Sequence, residues 1–532
     1  MYKVLVSDTV AQSGIDVLEE KVNVTYNTEL TREEFLEIIG DYDGIIVRSM
    51  TLLDEEALDK AKKLKVIGRA GTGYDNIDVD AAAKRGIYVF NTPTGNTISA
   101  VEHTMGLMLG LARNIPQAND ALREGIWDRQ KYMGIELNNK TLGIIGLGKI
   151  GSRVAQRGQA FNMDVIANDP YLAPEKAERI NVPLLSFEEV LKTSDYVSIH
   201  TPLNEETHYI ISKEEFKMMK DTACLINAAR GGNLDTEAAA WALDNEEIAG
   251  VAVDVHEEEP FDPDEHPLVK FTDKVVMTCH LGGTTTEAMD NVSITASKQV
   301  LDVLLNNKLP ESPLNIPAID SQELNKFQPY LDLTNKLGNF MAYWKGQERI
   351  ENIEIEYGGD ITETKLDPFT RTVIKAILDP VLDSRVNLVN APIIADERGV
   401  SIKESQIKPP EGLKNIIRVN IKTENGNYSA AGTSLPVGLR VIEINNYRID
   451  LDLEGKFLVL TYEDKPGIIG KIGTTLGKDN VNIASMQVGR DEESGRAIML
   501  LQTDTKPENE TMQSLENLSD ELGIKDLAYL EI

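Results

Sequence analysis

Cysteine is nearly absent: Cys224 and Cys279 are the two in 532 residues. Two thiols cannot build a disulfide framework, and neither stands at metal-ligand spacing from a histidine or another cysteine, so no metal site is expected. Both fall in apolar, strand-like runs and are expected to be buried as small hydrophobes. Positive charge is scarce too, with 54 lysines and arginines against 86 acidic residues and a formal net charge of -32. A surface so acidic argues against nucleic acid and anionic membranes as partners. Long hydrophobic runs are missing. The most apolar helical stretch, Ala100 to Ala112, is interrupted by Glu102 and His103 and is too short to span a bilayer. Met1 to Val6 runs straight into a strand, without the basic, apolar and small-residue order of a leader. A reducing cytoplasm is the expected compartment.

What is present is alternation. The length exceeds what one hydrophobic core usually holds, so three or four domains are expected. Residues 4–7, 22–26, 44–47, 66–67 and 87–90 read as strands, separated by amphipathic stretches such as 32–39 and 54–63. Strand alternating with helix means βαβ units and a parallel sheet. A long helix should begin near Ser99. From Thr141 the alternation restarts with six strand candidates, at 142–146, 164–167, 196–200, 223–227, 250–253 and 275–278. Six is the number of a doubly wound dinucleotide-binding sheet. The helical stretch 287–305 is expected to return to the first lobe, and 307–320, with three prolines, reads as a linker. Beyond it helix and strand mix, with no histidine between Ser321 and Gly455. Residues 456–532 read β-α-β-β-α-β, a ferredoxin-like order, with helices at 467–476 and 508–521. The expected fold is therefore α/β. It has a discontinuous lobe (1–98 with 285–315) and a Rossmann lobe (99–284), both with doubly wound parallel sheets. An α+β unit (317–455) and a ferredoxin-like unit (456–532) follow.

Gly146-Leu147-Gly148-Lys149-Ile150-Gly151 follows one strand candidate directly and opens a helical stretch. In that context the G-x-G-x-x-G spacing has a mechanism: Gly146 permits the turn, Gly148 lets the backbone approach a pyrophosphate, and Gly151 lets helix and sheet pack closely. The helix N-terminus then offers free N–H groups to phosphate. Asp169 ends the second strand at the distance where a carboxylate accepts hydrogen bonds from ribose hydroxyls and repels a 2′-phosphate, so NAD is favoured over NADP.

Three charged residues follow later strands, on the edge where open α/β sheets bind ligands. Arg230 lies in Asn227-Ala228-Ala229-Arg230-Gly231, Glu259 precedes Pro260, and His280 precedes Leu281-Gly282-Gly283. Oxidising a secondary alcohol needs a base of histidine type. A carboxylate fixes its tautomer, and a guanidinium can grip a substrate carboxylate at two points.

The run Gly68 to Asp78, the glycines of 146–151, His200-Thr201-Pro202-Leu203, the Arg230 and His280 motifs and Asp254-Val255-His256-Glu257-Glu258-Glu259-Pro260 together resemble the D-2-hydroxyacid dehydrogenase family over residues 1 to about 315. The resemblance implies an NAD-dependent oxidoreductase with Arg230, Glu259 and His280 as its catalytic set. It also implies cofactor contacts at Thr72, Lys149, Ile150, Asp169, Thr201, Ala228, Arg230, Asp254, His280 and Gly283. His256 stands where an aromatic phenylalanine or tyrosine is usual and is not expected to be catalytic.

Val47-Arg48-Ser49, the run Asn91 to Asn96 and the run Gly125 to Gly134 resemble the branch of that family acting on 3-phosphoglycerate. This implies substrate contacts at Arg48, Arg69, Gly71, Gly73 and Asn76, with Arg129 and Lys131 supplied by a neighbouring subunit. It further implies a homo-oligomer, a tetramer built of dimers that meet largely through 99–113. In so acidic a chain, a phosphate requires such local cations. Tyr462 to Gly470 and Asn480 to Ile483 resemble an ACT domain, and Val386 to Pro392 resembles the intervening domain that accompanies it. Tyr462, Asp464 and Asn482 match the positions that hold serine as an effector. Two alternatives stay open: a dehydrogenase for an unphosphorylated hydroxy acid, and a non-catalytic NAD-sensing scaffold.

Overall fold

The computed structural model describes the whole chain except residues 318–320, 347, 383–384, 437, 453, 492–494 and 532. The last three residues of the expected linker thus lie outside the described ones.

The first sheet contains β1 (Lys3–Val6), β2 (Asn23–Tyr26), β3 (Gly44–Val47), β4 (Val66–Arg69) and β5 (Tyr88–Asn91), in the order β2-β1-β3-β4-β5. All its pairings are parallel. Its central strands are buried along their length, which is why they read as continuous apolar runs. The helix expected over 54–63 spans Glu55–Lys60, begun by Asp54 accepting the Ala57 N–H. The long helix begins at Thr97 and runs to Ala112.

The second sheet holds β6 (Thr141–Ile145), β7 (Asp164–Asn168), β8 (Tyr196–Ile199), β9 (Cys224–Asn227), β10 (Gly250–Val253) and β11 (Val275–Met277), ordered β11-β10-β9-β8-β6-β7 and parallel throughout. A doubly wound nucleotide sheet usually has a third strand outside its second. Here that strand is reduced to one bridge, Ala167 to Leu184. Cys224 is buried in β9 as expected, but Cys279 is exposed. The expectation for Cys279 fails because β11 ends at Met277 and the chain turns at His280, whose φ is 55°.

The helix Thr286–Asn306 returns to the first lobe and packs Val292, Ala296, Val300 and Leu304 into the core beneath β1 and β3. The chain then lies along the free edge of β5. Leu314 donates its N–H to the Val89 carbonyl at 2.8 Å, and the Asn315 side chain donates to the Ile87 carbonyl at 2.7 Å.

The third sheet is mixed. It holds β12 (Ile350–Gly359), β13 (Ser401–Gln406), β14 (Asn415–Thr423), β15 (Asn427–Leu435), β16 (Gly438–Ile444) and β17 (Tyr447–Leu451), with only the β12–β13 pairing parallel. The helices Ser321–Trp344 and Asp367–Leu378 cover one face. The fourth sheet holds β18 (Lys456–Glu463), β19 (Ile483–Asp491), β20 (Arg496–Thr503) and β21 (Asp526–Glu531), in the order β19-β20-β18-β21 and antiparallel, as a ferredoxin-like unit requires. The final helix expected over 508–521 is two, Asn509–Asn517 and Ser519–Leu522.

Among the described residues no helix is long and apolar enough to cross a membrane.

Candidate active site

Parallel register brings the candidate residues to one level. Asn227 pairs with Val253 and Val253 with Met277, so β9, β10 and β11 end together. Arg230, Glu259 and His280 lie three, six and three residues beyond those ends. The His280 Nδ1 and Glu259 Oε2 atoms are 2.7 Å apart, and Glu259 Oε1 accepts the His256 N–H at 3.0 Å. Burial opposes ionisation of Glu259, but the His280 hydrogen bond, the His256 amide and the imidazole charge outweigh it and hold the carboxyl below its usual range. A carboxylate facing Nδ1 keeps the proton there and leaves Nε2 free to accept one.

Under this pair sits Asp254, almost wholly buried. Its Oδ1 accepts from Thr278 Oγ1 at 2.6 Å and the Leu281 N–H at 2.7 Å and lies 3.0 Å from His103 Nε2. Its Oδ2 accepts the Gly282 N–H at 2.8 Å, and its carbonyl accepts the His280 N–H at 2.7 Å. Burial alone would raise its pKa; the bonds from His103, Thr278 and Leu281 reverse that and hold it far below the usual carboxylate range. Asp254 thereby fixes the turn that presents His280. His256 packs edge-on to His266, with Nε2 2.9 Å from the Thr278 carbonyl, a structural position.

The first lobe contributes a cluster of guanidinium groups. Arg48 and Arg69 are both desolvated, and Nε of each is buried without a hydrogen-bond partner among the described residues. Burial first, then the charges of Arg48 and Arg230, push Arg69 down to about 10, with Asp8 and Asp75 opposing. Arg230 reaches Asp75 at 3.5 Å and donates to the Ala229 carbonyl at 2.7 Å. A Cβ on Gly73 would stand 2.6 Å from Arg230 Nη2, so only glycine lets the Gly71–Gly73 backbone lie against these groups. Positive groups held together with unsatisfied donors form an anion site. Asp8, buried, accepts the N–H groups of Arg48, Met50 and Thr51 and so shapes the Arg48 turn. Asn76 donates to the carbonyls of Arg48 and Thr51. Arg129 and Lys131 lie on the exposed segment after the helix Ile115–Arg123, where Lys131 reaches Asp273 at 3.9 Å.

Between the sheet ends of the second lobe opens a cleft of about 550 Å³, lined by Gly146, Gly148, Asp169, Pro170, His200 and Thr201 among others. Gly148 faces open space, where a Cβ would meet nothing. Gly151 is closed, and a Cβ there would run into the Gly146 carbonyl. Asp169 braces the turn, accepting the Leu147 N–H at 2.9 Å and the Tyr171 N–H at 3.0 Å. The Thr201 hydroxyl is buried there without a hydrogen-bond partner among the described residues. An open glycine cradle, a carboxylate at the end of the second strand and an orphaned hydroxyl fit a dinucleotide. Lys149 and Ile150 open the helix Gly151–Ala160, and Ala228 follows β9 at the sheet edge. At the junction of the lobes, Thr72 Oγ1 donates to Asn96 Oδ1 at 2.8 Å, and Gly283 has room only for hydrogen beside the Asn96 amide.

In the last unit Tyr462 is buried, Asp464 pairs with Arg490 at 3.2 Å, and Asn482 donates to Asp504 at 2.7 Å. Gly467, at φ 94°, opens the helix Ile468–Lys478 beside them.

Asp8, Asn96, His103 and Thr278 were not singled out in the sequence. Asp8 carried a usable signal, since it follows β1 at the ligand-binding edge. His103 carried none, since beside Glu102 it reads as an ordinary polar interruption of an apolar helix.

Three family models match the chain: the NAD-binding domain of D-isomer specific 2-hydroxyacid dehydrogenases over residues 105–282, the intervening domain of D-3-phosphoglycerate dehydrogenase over 326–445, and the ACT domain over 456–520. Proteins named D-3-phosphoglycerate dehydrogenase from Methanocaldococcus jannaschii and Archaeoglobus fulgidus are 40% and 38% identical to it, each covered over 100% of both chains. Among solved structures, a glyoxylate reductase from Paecilomyes thermophila matches 59% of this chain and 98% of its own at 30% identity and TM-score 0.54. D-lactate dehydrogenase from Aquifex aeolicus, complexed with NAD and lactic acid, matches 59% and 100% at 27% identity and TM-score 0.54. The fold and site define an NAD-dependent dehydrogenase of 2-hydroxy acids. The chain belongs to the D-3-phosphoglycerate dehydrogenases, the members of that class that carry an intervening and an ACT domain.

Proposed function

We propose that the chain oxidises 3-phosphoglycerate to 3-phosphohydroxypyruvate with NAD, the first step of serine synthesis by the phosphorylated route, and that serine restrains it through the ACT domain. The observation that carries the reading is the coexistence of the His280–Glu259 pair with the desolvated Arg48 and Arg69, which lie beside Arg230.

Bound NAD supplies the hydride acceptor. His280 Nε2 takes the proton of the C2 hydroxyl as the C2 carbonyl forms, and Glu259 stabilises the resulting imidazolium through Nδ1. Arg230 grips the substrate carboxylate, with the Gly71–Gly73 backbone beside it, and Asn76 holds the Arg48 turn in place. Arg48 and Arg69 meet the phosphate, and Arg129 and Lys131 of a second copy complete its counter-charge. Thr72, Thr201, Asp169, Asp254 and Gly283, with the backbone of Gly146–Gly151 and Ala228, position the cofactor. Closure of residues 1–98 with 285–315 against 99–284 excludes water. Tyr462, Asp464 and Asn482 take the effector.

Exposed apolar side chains on one stretch, Ile115, Leu122, Ile126, Trp127 and Met133, support an oligomer. The helix Thr97–Ala112 leaves only a narrow stripe outward, at Ile98, Glu102 and Gly106, so most of the dimer surface lies after it.

The test follows NADH absorbance with 3-phosphohydroxypyruvate and, separately, with glyoxylate and hydroxypyruvate, each with and without serine. Oxidation confined to the phosphorylated substrate and slowed by serine is expected. Equal use of unphosphorylated acids overturns the phosphate assignment; indifference to serine overturns the effector site.

A further inference from the structure

The C-terminal half meets the first lobe around the start of β5 and beside the end of the helix Thr286–Asn306, and β5 runs from that contact to the candidate site. At its C-terminal end, β5 holds the substrate loop. The Asn91 side chain donates to the Thr72 carbonyl at 2.6 Å, the Thr92 N–H donates to the Gly71 carbonyl at 2.9 Å, and Thr92 Oγ1 accepts the Gly71 N–H at 2.7 Å. Asn91 also stands in register with Arg69 across β4.

At its other end, just before β5, is Gly86, and there the intervening unit docks. Residues 385–390 form a closed loop tied by two asparagines. Asn387 Oδ1 accepts the N–H groups of Val389 and Asn390 at 2.9 and 3.2 Å. Asn390 Oδ1 accepts the Asn387 N–H at 2.8 Å, and its amide donates to the Arg385 carbonyl at 3.0 Å. Both side chains are buried. Arg371 donates to the Leu388 and Val389 carbonyls within the intervening unit, and toward the first lobe Asn387 Nδ2 donates to the Gly86 carbonyl at 2.6 Å. Gly86 has φ 65°, and a Cβ there would stand 2.7 Å from Asn390 Nδ2, so conformation and space both demand glycine. Ala83, Ile316 and Val389 close an apolar rim around the bond, with Tyr88 and Ile393 packed against it. A buried hydrogen bond ringed by apolar side chains is strong and directional, because neither partner has water to fall back on.

β5 is an edge strand. Its free edge is covered by residues 312–315, the stretch leading toward the helix Ser321–Trp344. That helix lies in a core shared by the third and fourth sheets. The covering segment therefore lies on the strand that sets the Gly71–Gly73 loop, and the Asn387 bond ends two residues before that strand.

We propose that Asn387 is a positioning residue for the reaction: through Gly86 and β5 it sets the loop that receives the substrate, and effector binding reaches the site by this joint. The inference rests on the function proposed above for its regulatory part, whereas the mechanical link stands independently of activity.

Asn387→Asp tests it. The carboxylate keeps the acceptor for Val389 and Asn390 but loses the donor and places negative charge against the Gly86 carbonyl. In the full-length protein, amide hydrogen exchange at Gly71 and Thr92 should rise at least several-fold, while amides of β8 and β9 stay unchanged. The KM for the phosphorylated acid should rise about five- to tenfold, with NADH affinity unchanged and serine inhibition weakened. Unchanged exchange at Gly71 and Thr92 overturns the joint whether or not the enzyme is active. An unchanged KM in an active variant overturns it too. Absence of turnover in the unaltered protein overturns the proposed function alone. Should Asn387→Asp lose its cooperative unfolding, Ile316→Ala trims the apolar rim, leaves the asparagine knot in place, and is read by the same two quantities.

Discussion

The N-terminal half and the C-terminal half bury their apolar residues in opposite ways. In the first 316 residues the core is divided: two clusters lie on either side of each parallel sheet, and none joins the lobes. The C-terminal half is fused across one face of its last sheet, the other face keeping a core of its own. One cluster runs from Phe340 and Tyr357 of the intervening unit into Phe457, Val459, Ile498, Leu500 and Leu530 of the last sheet. The difference teaches what each half can do. Lobes with separate cores can open and close around a ligand. Two sheets that share one core move together, so a displacement of the last unit would be felt by the intervening unit.

The largest expected effect lies in the divided half. Replacing His280 with alanine should lower kcat by about 10²–10⁴-fold while NADH affinity stays within twofold; a variant that keeps its turnover would remove His280 as the base. Next is the anion cluster. Arg69→Gln should raise KM for the phosphorylated acid on the order of 10- to 100-fold and leave NADH binding alone. An equal loss with unphosphorylated substrates would mean that Arg69 supports the lobe rather than meeting phosphate.

The fused core is tested by Leu500→Ala. It should cost about 2–5 kcal/mol and lower the melting of the intervening unit and the last unit together, without shifting that of the dinucleotide lobe. Separate transitions for the two C-terminal units would break the comparison.

The smallest effect concerns pH. Burial at the end of β8 pushes the His200 imidazole down to about 4, with its Nε2 2.9 Å from Ser198 Oγ. The unfolded chain takes up this proton near pH 6.5 and the folded chain does not, so the stability from a neutral His200 is complete above 6.5 and lost as pH falls toward 4. The total is on the order of 1–3 kcal/mol. Melting temperatures between pH 6.5 and 5, above the carboxylate range, should therefore fall more steeply for the unaltered protein than for His200→Gln. Parallel profiles would rule the contribution out.

Much of this molecule was legible in order of residues. All eleven strands of the two parallel sheets were readable: the central ones because strands buried on both faces must be continuously apolar, the exposed edge strand β2 because it lies between helical stretches. The Gly146–Gly151 turn and Asp169 were readable because backbone approach to phosphate admits few residue types. His280, Glu259 and Arg230 were readable because strand ends at one edge of such a sheet converge. Cys279 was misread for want of one conformational fact, the turn at His280 that ends the apolar run early.

Other features depended on distance. That Asp254 is enclosed by His103, Thr278, Leu281 and Gly282, that Arg48 and Arg69 are desolvated together, and that Asn387 reaches Gly86 are contacts between residues 24 to 301 positions apart or burial produced by them. Local pattern carries period, turn chemistry and residue type. By itself it determined the sheets and the glycine turn, and it pointed to His280, Glu259 and Arg230. Only the packed chain decided which charges lost their water, which cores merged, and that the Asn387 amide reaches the Gly86 carbonyl ahead of β5.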